Sequence, residues 1–178
     1  MNSINREQPE KNHEDLRGEE ALAKLRDLVK SAQTCFFCTA IQAGHYVPTR
    51  PMSVQDVDDR GHLWFLCAND SHVYKQLTGD AKVQLMFQGS PHTDFMTIYG
   101  TAKTGADKKR IGELWQPILK TWFTEGKDDP RIATIEVVPG PSYYWDTKHG
   151  RVVVLAKMIA GAISGKTLDD SIEGKLKV

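Results

Sequence analysis

Val47-Pro48-Thr49-Arg50-Pro51-Met52-Ser53-Val54-Gln55-Asp56-Val57-Asp58-Asp59-Arg60-Gly61-His62-Leu63-Trp64-Phe65-Leu66 is the stretch on which the fold turns. Pro48 and Pro51 hold its first part extended and withhold ladder donors, while Met52, Val54 and Val57 supply apolar side chains. Residues 48–57 therefore read as a strand with one open edge. Asp58-Asp59-Arg60-Gly61 is turn chemistry, and Leu63-Trp64-Phe65-Leu66 returns as a second apolar strand, which predicts a β-hairpin. Arg50 gives the hairpin a functional cast. A permanently charged fork of donors on a proline-restricted backbone, followed by the small polar Ser53, suits a planar or phosphorylated anion. An arginine on a strand is also commonly a plain surface residue, and the hairpin alone leaves both readings open.

Upstream, 1–20 is polar and predicts a mobile tail. From there Leu22, Leu25, Leu28 and Val29 recur at helical spacing, and an amphipathic helix is expected over one end of the strands. Residues 34–41 are aromatic and read as a strand, in which alternation turns Cys35 and Cys38 to opposite faces. The C-x-x-C spacing is thus assigned a structural role, since a redox pair places its first cysteine at a helix N-terminus.

Downstream, 62–68 is the returning strand, and Asp70 or Ser71 caps a short helix reaching Leu77. A helix start directly after a strand offers free backbone donors to a phosphate, with Ser71 adding a hydroxyl and Lys75 a charge; a plain capped helix with a solvated Lys75 is the other reading. Strands follow at 82–88 and 95–103. Ile111, Leu114, Trp115, Ile118, Leu119 and Trp122 predict a helix over 107–122, kinked or divided at Pro117. Strands at 131–138 and 142–147 come next, then 152–163 as strand passing into helix and 164–178 as a polar exit segment.

The expected organisation is one domain over 21–165 with 1–20 and 166–178 as extensions. There is no βαβ rhythm, so the fold class is mainly β with peripheral helices (α+β), an antiparallel barrel closed to remove its edges. The chain of 178 residues is 40% hydrophobic and 26% charged, sufficient for one substantial core. Lys plus Arg equals Asp plus Glu at 23 each, which argues against a nucleic-acid partner. No leader pattern and no membrane-length apolar run occurs, so a cytoplasmic protein without a membrane partner is expected. Three cysteines are few and odd in number, in keeping with a reducing compartment, and no ligand set for a metal is complete. His45, His62, His92 and His149 read as surface residues, and no catalytic acid or base is nominated.

Arg50-Pro51-Met52-Ser53, the acidic turn and Leu63-Trp64-Phe65 resemble the flavin-binding hairpin of the pyridoxamine 5'-phosphate oxidase-like split barrels, in the branch called general stress proteins. Glu113-Leu114-Trp115-Gln116-Pro117, then Trp122 to Pro130, then Tyr143-Tyr144-Trp145-Asp146 are similar to the same branch in order and spacing, so the likeness covers about 21–178. The resemblance implies an antiparallel split β-barrel of FMN-binding type. It also implies a homodimer with FMN in grooves at the subunit interface, and either FMN-dependent oxidoreductase activity or non-catalytic flavin storage or sensing under stress. Arg50, Pro51, Met52 and Ser53 would line the ring or ribityl side, with Phe65 and Leu66 offering backbone groups. Ser71, His72 and Lys75 would meet the phosphate, and Trp115 and Trp145 would lie near the flavin at the subunit boundary. The family's phosphate-binding lysine usually falls two residues after the serine, where this chain has Val73; Lys75 and His72 are the candidates to replace it. The arginine-rich C-terminal motif of the vitamin-forming oxidase has no counterpart after Trp145, which sets that identity aside.

Overall fold

The structure, a computed structural model, describes residues 12–147 and 170–178. In chain order it contains β1 (Leu16–Arg17), α1 (Gly18–Ala32), β2 (Thr34–Cys38), β3 (Thr49–Ser53), β4 (Asp56–Val57), β5 (Leu63–Ala68), α2 (His72–Gly79), β6 (Lys82–Gln88), β7 (Phe95–Gly105), α3 (Lys108–Leu114), β8 (Ile132–Thr147) and β9 (Ser171–Lys177). Short 3-10 helices at Pro117–Thr121 and Gly126–Asp128 join α3 to β8.

One sheet takes in every strand, along the path β1-β9-β8-β7-β6-β2-β3, with β5 paired to both β8 and β4. The 16-residue β8 organises it. β7 follows one edge of β8, while the other edge is shared by β5 opposite Ile132 to Val137 and β9 opposite Ser142 to Thr147. All strand pairs are antiparallel except β1 with β9. The fold is mainly β with peripheral helices, as expected, but the hydrogen-bonded path is not a closed barrel among the described residues: β3 pairs only with β2. Pro51 has no N–H, which helps to leave that strand as an edge.

The 48–57 strand is a second correction. β3 pairs with β2, Phe37 opposite Arg50, and the chain then bends at Val54 and Gln55. Val54 N–H donates to Gln33 O, whereas Gln55 N–H donates to Trp64 O, so the backbone changes partners between adjacent residues. Only the two-residue β4 forms the hairpin with β5. Asp58 builds its turn: Oδ1 accepts the N–H groups of Arg60 and His62, and Oδ2 accepts Arg60 Nη2 and Trp64 Nε1. Burial pushes the Asp58 carboxyl up, but these four donors outweigh it and hold it down at about 2.

The core is filled from α1 by Ala21, Leu25, Leu28 and Val29, and from the strands by Phe37, Phe65, Leu63, Leu85, Ile98, Ile135 and Tyr144, all buried. Phe37 and Phe65 meet edge to face, with ring centroids 5.2 Å apart. Ile111, Leu119, Phe123 and Ile132 form a smaller cluster, closed by Leu66, Ala68 and Trp115. The expected helix over 107–122 ends at Leu114, because the residue before a proline is driven extended: Gln116 lies at ψ 144 and the 3-10 turn restarts at Pro117.

The ends of the chain also differ from expectation. Residues 171–177, expected in a polar exit segment, form β9. Residues 12–17, expected in a mobile tail, run beside it through β1, a bridge from His13 to Glu173 and a bond from Lys175 N–H to Asp15 Oδ1. A side chain at Gly174 would collide with the Glu14 carbonyl, so glycine is what lets the two strands lie together. Residues 148–169, which include His149 and the element expected at 152–163, lie outside the described residues.

Cys35, Cys38 and Cys67 are buried free thiols. Burial pushes Cys35 up to about 12 and Cys67 up to about 11. The unfolded chain then loses these thiol protons first, so the contribution is complete below about pH 9 and shrinks as pH rises toward the folded values. Neither thiol should react with a disulfide reagent at pH 8 until urea unfolds the chain. Rapid labelling of the native protein at Cys35 or Cys67 would contradict this burial.

Candidate functional site

Arg50 is half-buried on β3, and its guanidinium crosses to α2. Nη1 donates to Thr39 Oγ1 and Nη2 to Gln76 Oε1, both at 2.8 Å, while the Thr39 hydroxyl itself donates to Gln76 Oε1 at 2.6 Å. Every partner is neutral, and no ion pair joins Arg50 to a carboxylate among the described residues. Burial lowers its pKa, against the opposing pull of Cys38 and Tyr46. A cation partly stripped of water and unmatched in charge is suited to an anionic ligand.

Gln76 lies one helical turn after His72, so the guanidinium rests on the α2 face that carries His72. Ser71 is the N-cap. Its hydroxyl accepts Tyr74 N–H and donates to Ala68 O, so its donor is already engaged. The first-turn N–H groups of His72 and Val73 have no intrahelical acceptor and remain for an anion. His72 and Lys75 are exposed, whereas Val73 is buried in the core beside Leu77. Val73, the position at which the resemblance leads one to expect a phosphate-binding lysine, thus faces inward.

Pro51 and Ser53 are exposed on β3, and Met52 is half-buried against the core. Ser53 Oγ lies 3.3 Å from Thr34 Oγ1 and borders a groove of about 450 Å³ that Gln116 also lines. Phe65 is fully buried and Leu66 packs on the smaller cluster, so their side chains are structural. Their backbone lies along a stretch of β5 that pairs with β8 and extends beyond the two residues paired to β4. Trp115 is half-buried, with Phe123 6.4 Å away. Trp145 is 37% exposed with its ring 4.8 Å from Tyr143, and β7, β6 and β2 separate it from β3. Within one chain, the structure brings Arg50 to α2 and Ser53 to the loop after α3, and leaves Trp145 apart from both. A larger groove, about 570 Å³, lies elsewhere, on β7, β8 and β9 around Tyr99 and Tyr143.

Thr39 and Gln76 were not singled out by sequence; a threonine after a strand and a glutamine in a helix carry no signal until Arg50 is seen between them. His62, expected at the surface, is half-buried with Nδ1 2.8 Å from Glu136 Oε1. Asp58, His62 and Glu136 bring potential ligand atoms within 4.8 Å of one another, but Arg60 Nη2 already bonds both carboxylates.

Three comparisons place this geometry among known proteins. The family described as pyridoxamine 5'-phosphate oxidase like matches residues 20–169. Protein bli-3 of Neurospora crassa is 26% identical over 130 residues, which cover 68% of this chain and 62% of that protein, so the match spans less than two thirds of the relative. A solved structure described as a general stress protein 26 from Jannaschia sp. CCS1 superposes with a TM-score of 0.73 at 19% identity, covering 88% of this chain and 97% of the other. The general stress FMN/FAD binding protein of Xanthomonas citri gives 0.58 at 24% identity, covering 70% and 87%. At these identities the structures establish the shared fold. Because the family match runs through most of the chain, hairpin, α2 and β8 included, the chain belongs to the pyridoxamine 5'-phosphate oxidase-like family.

Proposed function

We propose that the chain is an FMN-binding flavoprotein of the general stress protein type that acts as a cytoplasmic FMN-dependent oxidoreductase. The observation that carries this reading is the Arg50 guanidinium, half-buried, held by neutral acceptors and set against α2. A phosphate monoester brings close to two negative charges and several acceptor oxygens, which complement that fork and the free donors of the helix start. FMN is preferred to FAD because no Gly-rich dinucleotide loop follows a strand in the sequence. In this reading the sheet is a split barrel of FMN-binding type. Arg50, with His72 and Lys75, holds the phosphate, Ser71 shapes the helix start, and Pro51, Met52 and Ser53 border the ribityl chain and ring. Phe65 and Leu66 contribute backbone groups. A bound flavin supplies hydride transfer, and the chain's own residues supply binding and orientation.

The homodimer belongs to the same proposal. Pro51, Phe36 and Met86 lie side by side across β3, β2 and β6, and Phe36 is 55% and Met86 39% exposed. Tyr99, Ile118 and Trp122 are also exposed, more apolar surface than scattered side chains require. A second copy covering this face completes the site with Trp115 and with Trp145 of the partner subunit. Among the described residues, no helix is long and apolar enough to cross a membrane.

Titration of the purified chain with FMN should quench flavin or tryptophan fluorescence and raise the melting temperature, and FAD should do so less. Dilution should release flavin and dissociate the dimer together. A monomer that retains FMN tightly would refute the interface, and indifference to both flavins would refute the proposal. Reduction of the bound FMN by a nicotinamide donor, followed by reoxidation, tests turnover; its absence would leave a flavin-binding protein that stores or senses FMN.

A further inference from the structure

On one edge of β8, β5 pairs as far as Val137 and β9 only from Ser142, so residues 138–141 have no strand beside them on that edge among the described residues. Pro139 and Pro141 fall in this gap and have no N–H to offer a strand. On the other edge the pairing with β7 bulges: Gly140 and Pro141 together face Tyr99, between the pairs Ile98 with Ser142 and Gly100 with Pro139. The bend is held in place. Ser142 Oγ donates to Gly140 O at 3.0 Å, and a side chain at Gly140 would meet the Tyr99 carbonyl 2.9 Å away, so glycine permits the close approach. The result is the groove of about 570 Å³, a preformed concavity of the size that takes small molecules.

Tyr99, Pro139, Pro141, Tyr143, Leu176 and Val178 make its lining predominantly apolar. Charge enters from β9. Thr97, Tyr143 and Lys175 lie side by side across β7, β8 and β9, and Lys177 follows two residues on, so both lysines share a face with the tyrosine. No acidic side chain lines the groove, and no ion pair joins Lys175 or Lys177 to a carboxylate among the described residues. We infer that this groove binds an amphipathic anion, a flat aromatic molecule that carries one anionic group. Its rings lie against Tyr99, Tyr143 and the two prolines, and its charge meets the ammonium groups of Lys175 and Lys177. An occupant with apolar groups alone, such as a second copy bringing only apolar side chains, would strip water from both cations without matching them. β6 and β2 separate the groove from β3 and Arg50, and the inference does not rest on the flavin reading.

The test titrates the full chain with two fluorescent probes: anilinonaphthalene sulfonate, an aromatic anion, and phenylnaphthylamine, which has the same ring body and no charge. Each should bind once per chain, and FMN should displace neither. The double variant Lys175→Gln, Lys177→Gln should lose roughly tenfold in affinity for the sulfonate, the scale of a hydrogen bond to a charged group, and hold the neutral probe within about twofold. Tyr99→Ala should weaken both probes, whereas added salt should weaken only the sulfonate. Equal losses of the two probes in the lysine variant, or no loss of either probe in any variant, would overturn the inference. Displacement of the probes by FMN would assign the groove to the flavin, and dissociation of a dimer by the lysine variant would assign it to a second copy; either result would overturn it too.

Discussion

An Arg50→Ala variant should lose FMN affinity by roughly 10- to 100-fold while keeping its fold. A hydrogen bond to a charged group is worth about 1.5–3 kcal/mol, and about 1.4 kcal/mol is tenfold in binding. The fold should survive because the bond from Thr39 Oγ1 to Gln76 Oε1 does not need the guanidinium, so neither group is left orphaned. Arg50→Lys should recover only part of the loss: a point charge replaces a fork that meets two acceptors at 2.8 Å each. Riboflavin, without the phosphate, should respond little. Lys75→Ala should cost less than Arg50→Ala, since Lys75 is exposed and its charge is screened. Equal losses for FMN and riboflavin in Arg50→Ala would show that Arg50 acts through the ring or the fold and would refute its phosphate role.

Phe65→Ala should destabilise the protein by about 3–5 kcal/mol, with a melting temperature lower by roughly 10 °C. The ring is fully buried, meets Phe37 edge to face and lies on the strand that joins β8 to β4. Phe36→Ala supplies the contrast. Phe36 neighbours Phe37 on β2 but is 55% exposed, so its loss should weaken self-association and leave the subunit's own stability nearly unchanged. Urea unfolding at several protein concentrations separates the two effects. A cost below about 1 kcal/mol for Phe65→Ala would contradict the packing described.

Much of this architecture could be read locally because alternation and helical spacing are local properties. Val83, Leu85 and Phe87 announce β6, and the capping serine announces α2. Partnership is what escaped. Residues 48–57 have one apolar pattern, yet β3 and β4 pair with different strands, since a pattern defines a face and not a neighbour. β9 was hidden for a related reason: in Ser-Ile-Glu-Gly-Lys-Leu-Lys the charges outweigh a short alternation that gains meaning only beside β8. At the candidate site, proline context made Arg50 conspicuous. Thr39 and Gln76 have ordinary side chains, and only their distances from Arg50 set them apart.

The seam between residues 12–17 and β9 bears on the order in which the sheet is completed. The Asp15 carboxylate and the Lys175 amide meet across 160 positions of sequence, so this joint closes after the most costly loop in the fold. Until β9 docks, β7 and β5 can flank β8, but its edge from Ser142 to Thr147 is bare. That edge, which carries Tyr143 and Trp145, is open to pairing with a wrong strand until the seven-residue β9 covers it.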